Sequence, residues 1–253
     1  MTKRGLETLS SFNPLKDREY MIVDAHREIA SGHHKCITQR DRGAQKMALI
    51  TPIVQDGKLK LAWEGQDVVE VLGLSNGSEL PVRVHSYLVT GVDQGDEVAK
   101  MLSDYLEMPV RLVRAAGSFN RKASQHYVEN DNSLSYQDAY SMNWIFLESV
   151  KELQTILGCN ISYKNFRPNI VAAGGSPSHE HLFYHVRFGK VEGIQPKPST
   201  RCMIPNVNQS TGIMSRSGTL PLKAIFDNYN WIDKDGQRQP IFAENFLPTN
   251  EGT

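Results

Sequence analysis

Cysteine, charge of one sign and long apolar runs are all scarce in this chain, and each shortage removes a class of function. Its 253 residues include three cysteines, Cys36, Cys159 and Cys202. An odd number without a C-x-x-C pair supports neither a disulfide framework nor a four-thiolate zinc site. Lys plus Arg and Asp plus Glu number 28 each, so the formal net charge is zero. No global field draws the chain to nucleic acid or acidic lipid. No run of about 18 apolar residues is present to span a bilayer, and the first residues lack the apolar core of a signal peptide. A cytoplasmic setting with reduced thiols is the default. Phosphate-loop, nucleophile-elbow and dinucleotide fingerprints are missing too.

What is present reads as a soluble, mainly β chain with a few helices (α+β). The hydrophobic fraction of 40% and the length fit one large or two modest domains. Residues 18–24, 47–54, 58–63, 67–72 and 82–89 are rich in β-branched and aromatic side chains and separated by turn signals, which predicts strands. Their short spacing suggests a barrel or sandwich rather than βαβ units. From 96 to 107, Val98, Met101, Leu102, Tyr105 and Leu106 repeat on one helical face. A second helix is expected over 149–157, with Gly158 as its C-cap. A third follows Thr219 as N-cap, with Pro221 in its first turn and Ile225 and Phe226 buried. The polar stretch 115–135 lacks periodicity, and a boundary there divides the chain into 1–115 and 116–253.

Three segments could carry chemistry. Cys202 follows Arg201 between a strand candidate and a turn-rich stretch, a setting that exposes a thiol and lowers its pKa; thiolates also bind soft metal centres. The alternative for any single cysteine is an inert core residue. Arg167 and Asn169 in Phe166-Arg167-Pro168-Asn169 share one face of an extended segment. They offer a guanidinium fork and a carboxamide to a phosphate and a heterocycle edge, or form an ordinary surface strand. His179, His181 and His185 would share a strand face, but zinc needs ligands converging at about 2.1 Å, so solvated loop histidines are expected. The same holds for His33-His34-Lys35-Cys36.

Taken together, four segments in order resemble one family: KRGL…DREYMIVD (3–24), TQR…MALI (38–50), FRPNIVAAG (166–174) and RCMIPNVNQSTGIMSR (201–216). YQDAY (136–140) and PLKAI (221–225) strengthen the likeness. They are similar to the MOSC proteins with an N-terminal β-barrel domain, the group that includes the mitochondrial amidoxime-reducing component. The resemblance covers nearly the whole chain. It implies a MOSC-type β-barrel after an N-terminal barrel-like domain, and a molybdenum cofactor (a metal on molybdopterin) held between them. By position Cys202 would ligate molybdenum. Arg167 and Asn169 would hold the pterin or its phosphate, Arg18 would reach the cofactor from the N-terminal domain, and Thr211 would contribute from the turn after the cysteine. Asp138 would lie near the metal to orient substrate or relay a proton. The implied reaction is two-electron reduction of an N-hydroxylated substrate, with electrons from a cytochrome b5-like or flavin reductase partner. A mitochondrial location becomes the alternative if a targeting segment precedes this sequence.

The sequence departs from the family pattern in four ways. The opening strand with its Lys-Ser pair and the closing strand after 244–253 are not found, which predicts open barrel edges. An Asp-x-x-Thr-Gly motif is replaced by Asn208-Gln209-Ser210-Thr211-Gly212, and two small hydroxyl residues after Asp138 are replaced by Ala139 and Tyr140. A non-catalytic module that binds a pterin or carries sulfur on Cys202 is therefore the competing expectation.

Overall fold

Alternation along the first strand feeds two cores at once. In the computed structural model, which describes residues 17–250 apart from 57, 131 and 216–219, β1 (Tyr20–Arg27) sends Met21 and Val23 into a cluster with Val82, Val84 and Val113. Its Tyr20 and Ile22 pack instead against a second cluster containing Val98, Leu102 and Leu112. Successive strand side chains face opposite ways, so one segment serves both. There follow β2 (His34–Cys36), β3 (Thr51–Gln55), β4 (Lys58–Ala62), β5 (Val69–Glu70), β6 (Glu79–Val84), β7 (Tyr87–Asp93), α1 (Asp96–Leu106) and β8 (Val110–Ala115).

Strands β1, β2, β6, β7 and β8 close into a barrel. Because β8 pairs back onto β1, with Val23 opposite Arg111, the open edge expected of this barrel does not arise among the described residues. Strands β3, β4 and β5 form a separate sheet with β3 at its edge. Helix α1 buries Val98, Ala99, Leu102 and Leu106 on the predicted face. Two strand expectations need correction. Residues 44–49 form a 3-10 turn, so only the end of 47–54 is extended. The expected strand over 82–89 is a hairpin whose two-residue turn, His85-Ser86, separates β6 from β7.

The remainder of the chain adds β9 (Arg121–Lys122), β10 (Ser133–Leu134), β11 (Met142–Phe146), α2 (Leu147–Leu157), β12 (Ile170–Ala172), β13 (His185–Phe188), β14 (Val191–Ile194), β15 (Pro198–Thr200), α3 (Pro221–Asn228), β16 (Asn230–Ile232) and β17 (Arg238–Pro248). β17 is the spine of a seven-stranded sheet and pairs with β11, β14, β15 and β16. Its register against β15 shifts between Pro198 and Thr200, where Ala243 takes a left-handed backbone at φ 70°; a bulge lets one strand serve several partners. Under α2 and α3 lie Ile145, Leu153, Phe166, Ile225 and Phe242, with the Phe166 and Phe242 rings 4.5 Å apart.

Helix α2 begins two residues earlier than its periodicity indicates and ends at Gly158, φ 65°, as expected of a left-handed cap. Helix α3 has Pro221 in its first turn and Ile225 fully buried. Phe226, expected inside, is exposed and lies under the Arg238 guanidinium, 4.7 Å from its ring centroid. The proposed cap Thr219 lies outside the described residues. No helix of the described residues is long and apolar enough to cross a membrane. The architecture is mainly β, as the sequence indicates.

Candidate functional site

Loops from both halves of the chain enclose one cavity of about 1390 Å³. Cys202, Arg167, Asn169, Arg18 and Asp138 all line it. Thr211 does not: it is exposed in a tight turn, where its hydroxyl accepts from the Ile213 amide at 3.4 Å. The motif 208–212 has another use. At Gly212, φ 66°, an added Cβ would come within 3.3 Å of the Lys46 backbone, so only glycine permits this close approach to the N-terminal half. Next to it, Gln209 and Gln39 exchange hydrogen bonds of 2.8 and 3.3 Å across the same seam.

Cys202 leaves the end of β15 and is exposed on the cavity wall. Its neighbour Arg201 is tied inward. Nε donates to the Phe242 carbonyl at 2.5 Å and Nη1 to the Phe166 carbonyl at 3.1 Å. One side chain thereby links the cysteine loop, the spine strand and the residue preceding Arg167. Burial pushes the Arg201 pKa down to about 10. Nη2 of Arg201 and the hydroxyl of Tyr136, both in buried positions on residues of the cavity lining, have no partner among the described residues.

Arg167 and Asn169 reach the site by a route different from strand alternation. A 3-10 turn over Tyr163–Phe166, started by the Ser162 hydroxyl accepting from Lys164, ends on Arg167 at φ 51°. The strand begins only at Ile170. Arg18 is also left-handed, at φ 54°, a conformation costing an L-residue about 1–2 kcal/mol. Hydrogen bonds hold both in place: Arg18 donates through Nη2 to the Arg167 carbonyl at 3.1 Å, and its own carbonyl accepts from the Tyr136 amide at 3.0 Å. Asn169 accepts from the Asn143 amide at 3.0 Å and donates to Asp17 at 3.0 Å; Asp17 also pairs with Arg18 at 3.1 Å. Much of the Asn169 amide is therefore engaged in shaping the loop.

The electrostatics favour an anion. Arg114, Arg83 and Lys35 on the lining are matched by Glu19, Glu28 and Asp41. No carboxylate of the described residues pairs with Arg40, Arg167, Lys197 or Arg201 at this same wall. Arg167 faces the open recess yet is enclosed by protein, and burial, then the repulsion of Arg18, lowers its pKa. Burial lowers Lys197 as well. Unpaired guanidinium and ammonium groups in a recess suit phosphate or another multiply charged ligand.

Asp138 accepts a hydrogen bond from His85 Nε2 at 2.9 Å and lies on the cavity lining. The His85 hydrogen bond holds its carboxyl below the usual range. His85 was hidden in the sequence because 82–89 reads as one strand; the hairpin turn, with His85 at φ 54°, brings the imidazole to the wall. Cys36 was also missed. β2 places it on the lining, where burial raises its thiol to about 11. The histidines considered for metal go elsewhere: His181 Nδ1 pairs with buried Glu244 at 2.6 Å and His34 Nδ1 with the Asp24 carbonyl at 2.8 Å. No group of three or more His, Cys, Asp or Glu is arranged for a metal ion among the described residues.

Comparison with known proteins identifies the two domains. Residues 1–109 match the MOSC N-terminal beta barrel domain, and residues 131–237 match the MOSC domain. The chain belongs to the MOSC family. Among curated MOSC relatives, mitochondrial amidoxime-reducing component 1 of Danio rerio is 27% identical, covering 100% of this chain and 83% of the relative. The protein of that name from Mus musculus is 25% identical over 96% of this chain and 71% of its own length. A molybdenum cofactor sulfurase of Drosophila pseudoobscura pseudoobscura is 29% identical over 78% of this chain, but only 24% of that protein is covered.

Proposed function

We propose that the cavity holds a molybdenum cofactor, with Cys202 as the protein thiolate on the metal, and that this MOSC protein reduces N-hydroxylated compounds there. The observation that carries the reading is convergence: an exposed thiol and four cationic side chains without carboxylate partners among the described residues line one cavity to which both halves contribute. The donor set fits the group. A pterin phosphate needs guanidinium forks, a soft metal needs an anionic sulfur, and the orphaned Tyr136 hydroxyl and Arg201 Nη2 are donors in want of an acceptor. The names of the amidoxime-reducing relatives support this chemistry and a mitochondrial location, and the name of the sulfurase relative supports the cofactor alone.

When bound, the cofactor supplies the two-electron chemistry that removes oxygen from nitrogen. The chain's own residues bind and orient. Arg167 and Arg18 grip the anionic end, and Asn169 keeps the Arg167 loop and the Asp17–Arg18 pair in register. Asp138 accepts a hydrogen bond from His85, which holds its carboxyl below the usual range, and the pair stands at the cavity lining to orient a substrate and relay a proton to it. Thr211 acts through the turn that seats Gly212. Electrons arrive from a separate protein of the cytochrome b5 or flavin reductase kind.

Reduction of an amidoxime by protein loaded with cofactor, with reduced viologen as donor, tests the reading. Turnover in the parent and none in Cys202→Ala or in metal-starved protein is expected. A folded, molybdenum-loaded parent without turnover overturns the reductase assignment. A second reading, sulfur carried on Cys202, is favoured by the exposure of that thiol and the sulfurase relatives. It predicts a Cys202 persulfide on metal-free protein after incubation with a low-molecular-weight persulfide, whose outer sulfur passes to Cys202 as its thiolate leaves.

A further inference from the structure

The cavity is larger than its charged end requires. Sites for drug-sized ligands occupy about 300–1,000 Å³, against 1390 Å³ here. Away from Cys202 and Arg167 the wall turns apolar: Ile22 of β1, Met47 and Ile50 around the 3-10 turn, Leu59 and Leu61 of β4, and Leu112 of β8. These belong to, or pack against, the core cluster of the N-terminal half. The arm is therefore an opening into the core rather than a surface groove.

The arm's margin is unusual for a folded strand. All five residues of β3 are exposed, including Val54 at 50%, and nearby Leu72 is 67% exposed; both lie on the cavity lining. The cations near this margin are paired, Lys58 with Glu70 at 2.6 Å and Arg114, which donates to the Gly73 carbonyl, with Glu19 at 2.5 Å. Apolar space of this kind does not hold ordered water well, because water there lacks polar partners. Its surface gains by covering with hydrocarbon, while the rest of the cavity carries cations without carboxylate partners among the described residues.

We propose that the arm takes the alkyl tail of an amphiphilic ligand whose polar head lies toward the cationic end of the cavity, beside the place proposed for the cofactor; in the proposed reaction this is an N-hydroxylated compound on a long, unbranched chain. The inference rests on that reaction only for the identity of the reacting head. An extended peptide, the other occupant that a β3 edge could accept, would carry backbone N–H and C=O groups into an arm whose inner wall is side-chain hydrocarbon. Those groups could pair on the β3 side alone. An alkyl chain brings no such groups.

The test is a titration of the full-length, metal-free protein with alkyl hydroxamates and matched alkyl carboxylates of four to twelve carbons, below their aggregation concentrations, followed by calorimetry. The dissociation constant is expected to fall about four-fold for each added methylene until the arm is full. Leu59→Trp, which fills the arm, is expected to move the plateau to a shorter chain. Val54→Asp changes an exposed rim residue, so it keeps the fold, and it is expected to weaken the longest ligands about ten-fold. A flat chain-length series, or the same gradient in both variants as in the parent, overturns the tail site. So does protection of β3 amides from exchange by an extended peptide but not by a long-chain ligand. Failure to load molybdenum would sink the reductase reading and leave this gradient untouched; a flat series on loaded, active protein would do the reverse.

Discussion

Replacing Arg201 by Met isolates the contact that ties the cysteine loop to the Arg167 loop. The two hydrogen bonds from its guanidinium to the Phe242 and Phe166 carbonyls contribute about 1.5–3 kcal/mol each, since the donor is charged. Against this, a buried cation with Nη2 unpartnered costs about 1–3 kcal/mol. Met retains an apolar stem beside Phe166, whose ring lies 5.7 Å from the guanidinium carbon, so packing is largely kept. The balance is a destabilisation centred near 2.5 kcal/mol. Urea unfolding, followed by far-UV circular dichroism and by tryptophan fluorescence, measures it. Trp144 is buried in the same sheet, so its emission reports the half that contains the contact. Arg201→Lys is expected to lose nearly as much, because a single ammonium cannot span both carbonyls. A loss under about 0.5 kcal/mol in both variants would refute the reasoning, since the carbonyl contacts would then not hold the loops together.

Three further outcomes follow from the same contacts. Cys36, raised to about 11, should alkylate last: at pH 8 about one molecule in a thousand is thiolate, and mass spectrometry should find exposed Cys159 and Cys202 modified well before it. Burial raises the Glu180 carboxyl, so the folded state binds its proton more tightly than the unfolded chain. Stability should fall as pH rises from about 4.3 through the folded value. Glu180→Gln should flatten that slope in melting curves, and an unchanged slope would assign it to other groups. Asp138 titrates below its ordinary value because His85 donates to it. In His85→Ala its carboxyl midpoint, followed by carbon NMR, should rise toward about 3.9; a midpoint that stays put removes His85 as the cause.

Much of the fold was legible where one period dominates. The stripe Val98, Met101, Leu102, Tyr105, Leu106 steps by three and four, which fits a helix face and not strand alternation, and Gly158 had the freedom its left-handed cap needs. Legibility failed where a turn interrupts a run of strand-forming residues. Nothing in 82–89 marks His85 as the point of reversal, because the turn lacks the usual Gly or Asn. Residues 44–49, Ala-Gln-Lys-Met-Ala-Leu, are all good helix formers, a signal masked by the strand-forming run that follows from Ile50, and they fold as a 3-10 turn. The site was legible by residue type and order more than by geometry. Cys202, Arg167, Asn169, Arg18 and Asp138 reach one cavity, while Thr211 stays in its turn. Arg167 gets there through a left-handed cap, which strand alternation does not describe. Cys36 and Tyr136 were invisible because their place on the wall depends on barrel closure and on the contact between halves, neither of which is a local property of the chain.

The central claim is that this wall binds molybdenum through Cys202 with Arg167 beside it. The most direct measurement is molybdenum per chain, by mass spectrometry of protein purified from cells making the cofactor in excess, for the parent, Cys202→Ala and Arg167→Ala. The account predicts close to one metal per parent chain, almost none in Cys202→Ala and a marked loss in Arg167→Ala, with all three folded by circular dichroism. A folded parent without molybdenum, or a Cys202→Ala variant that keeps it, would contradict the claim.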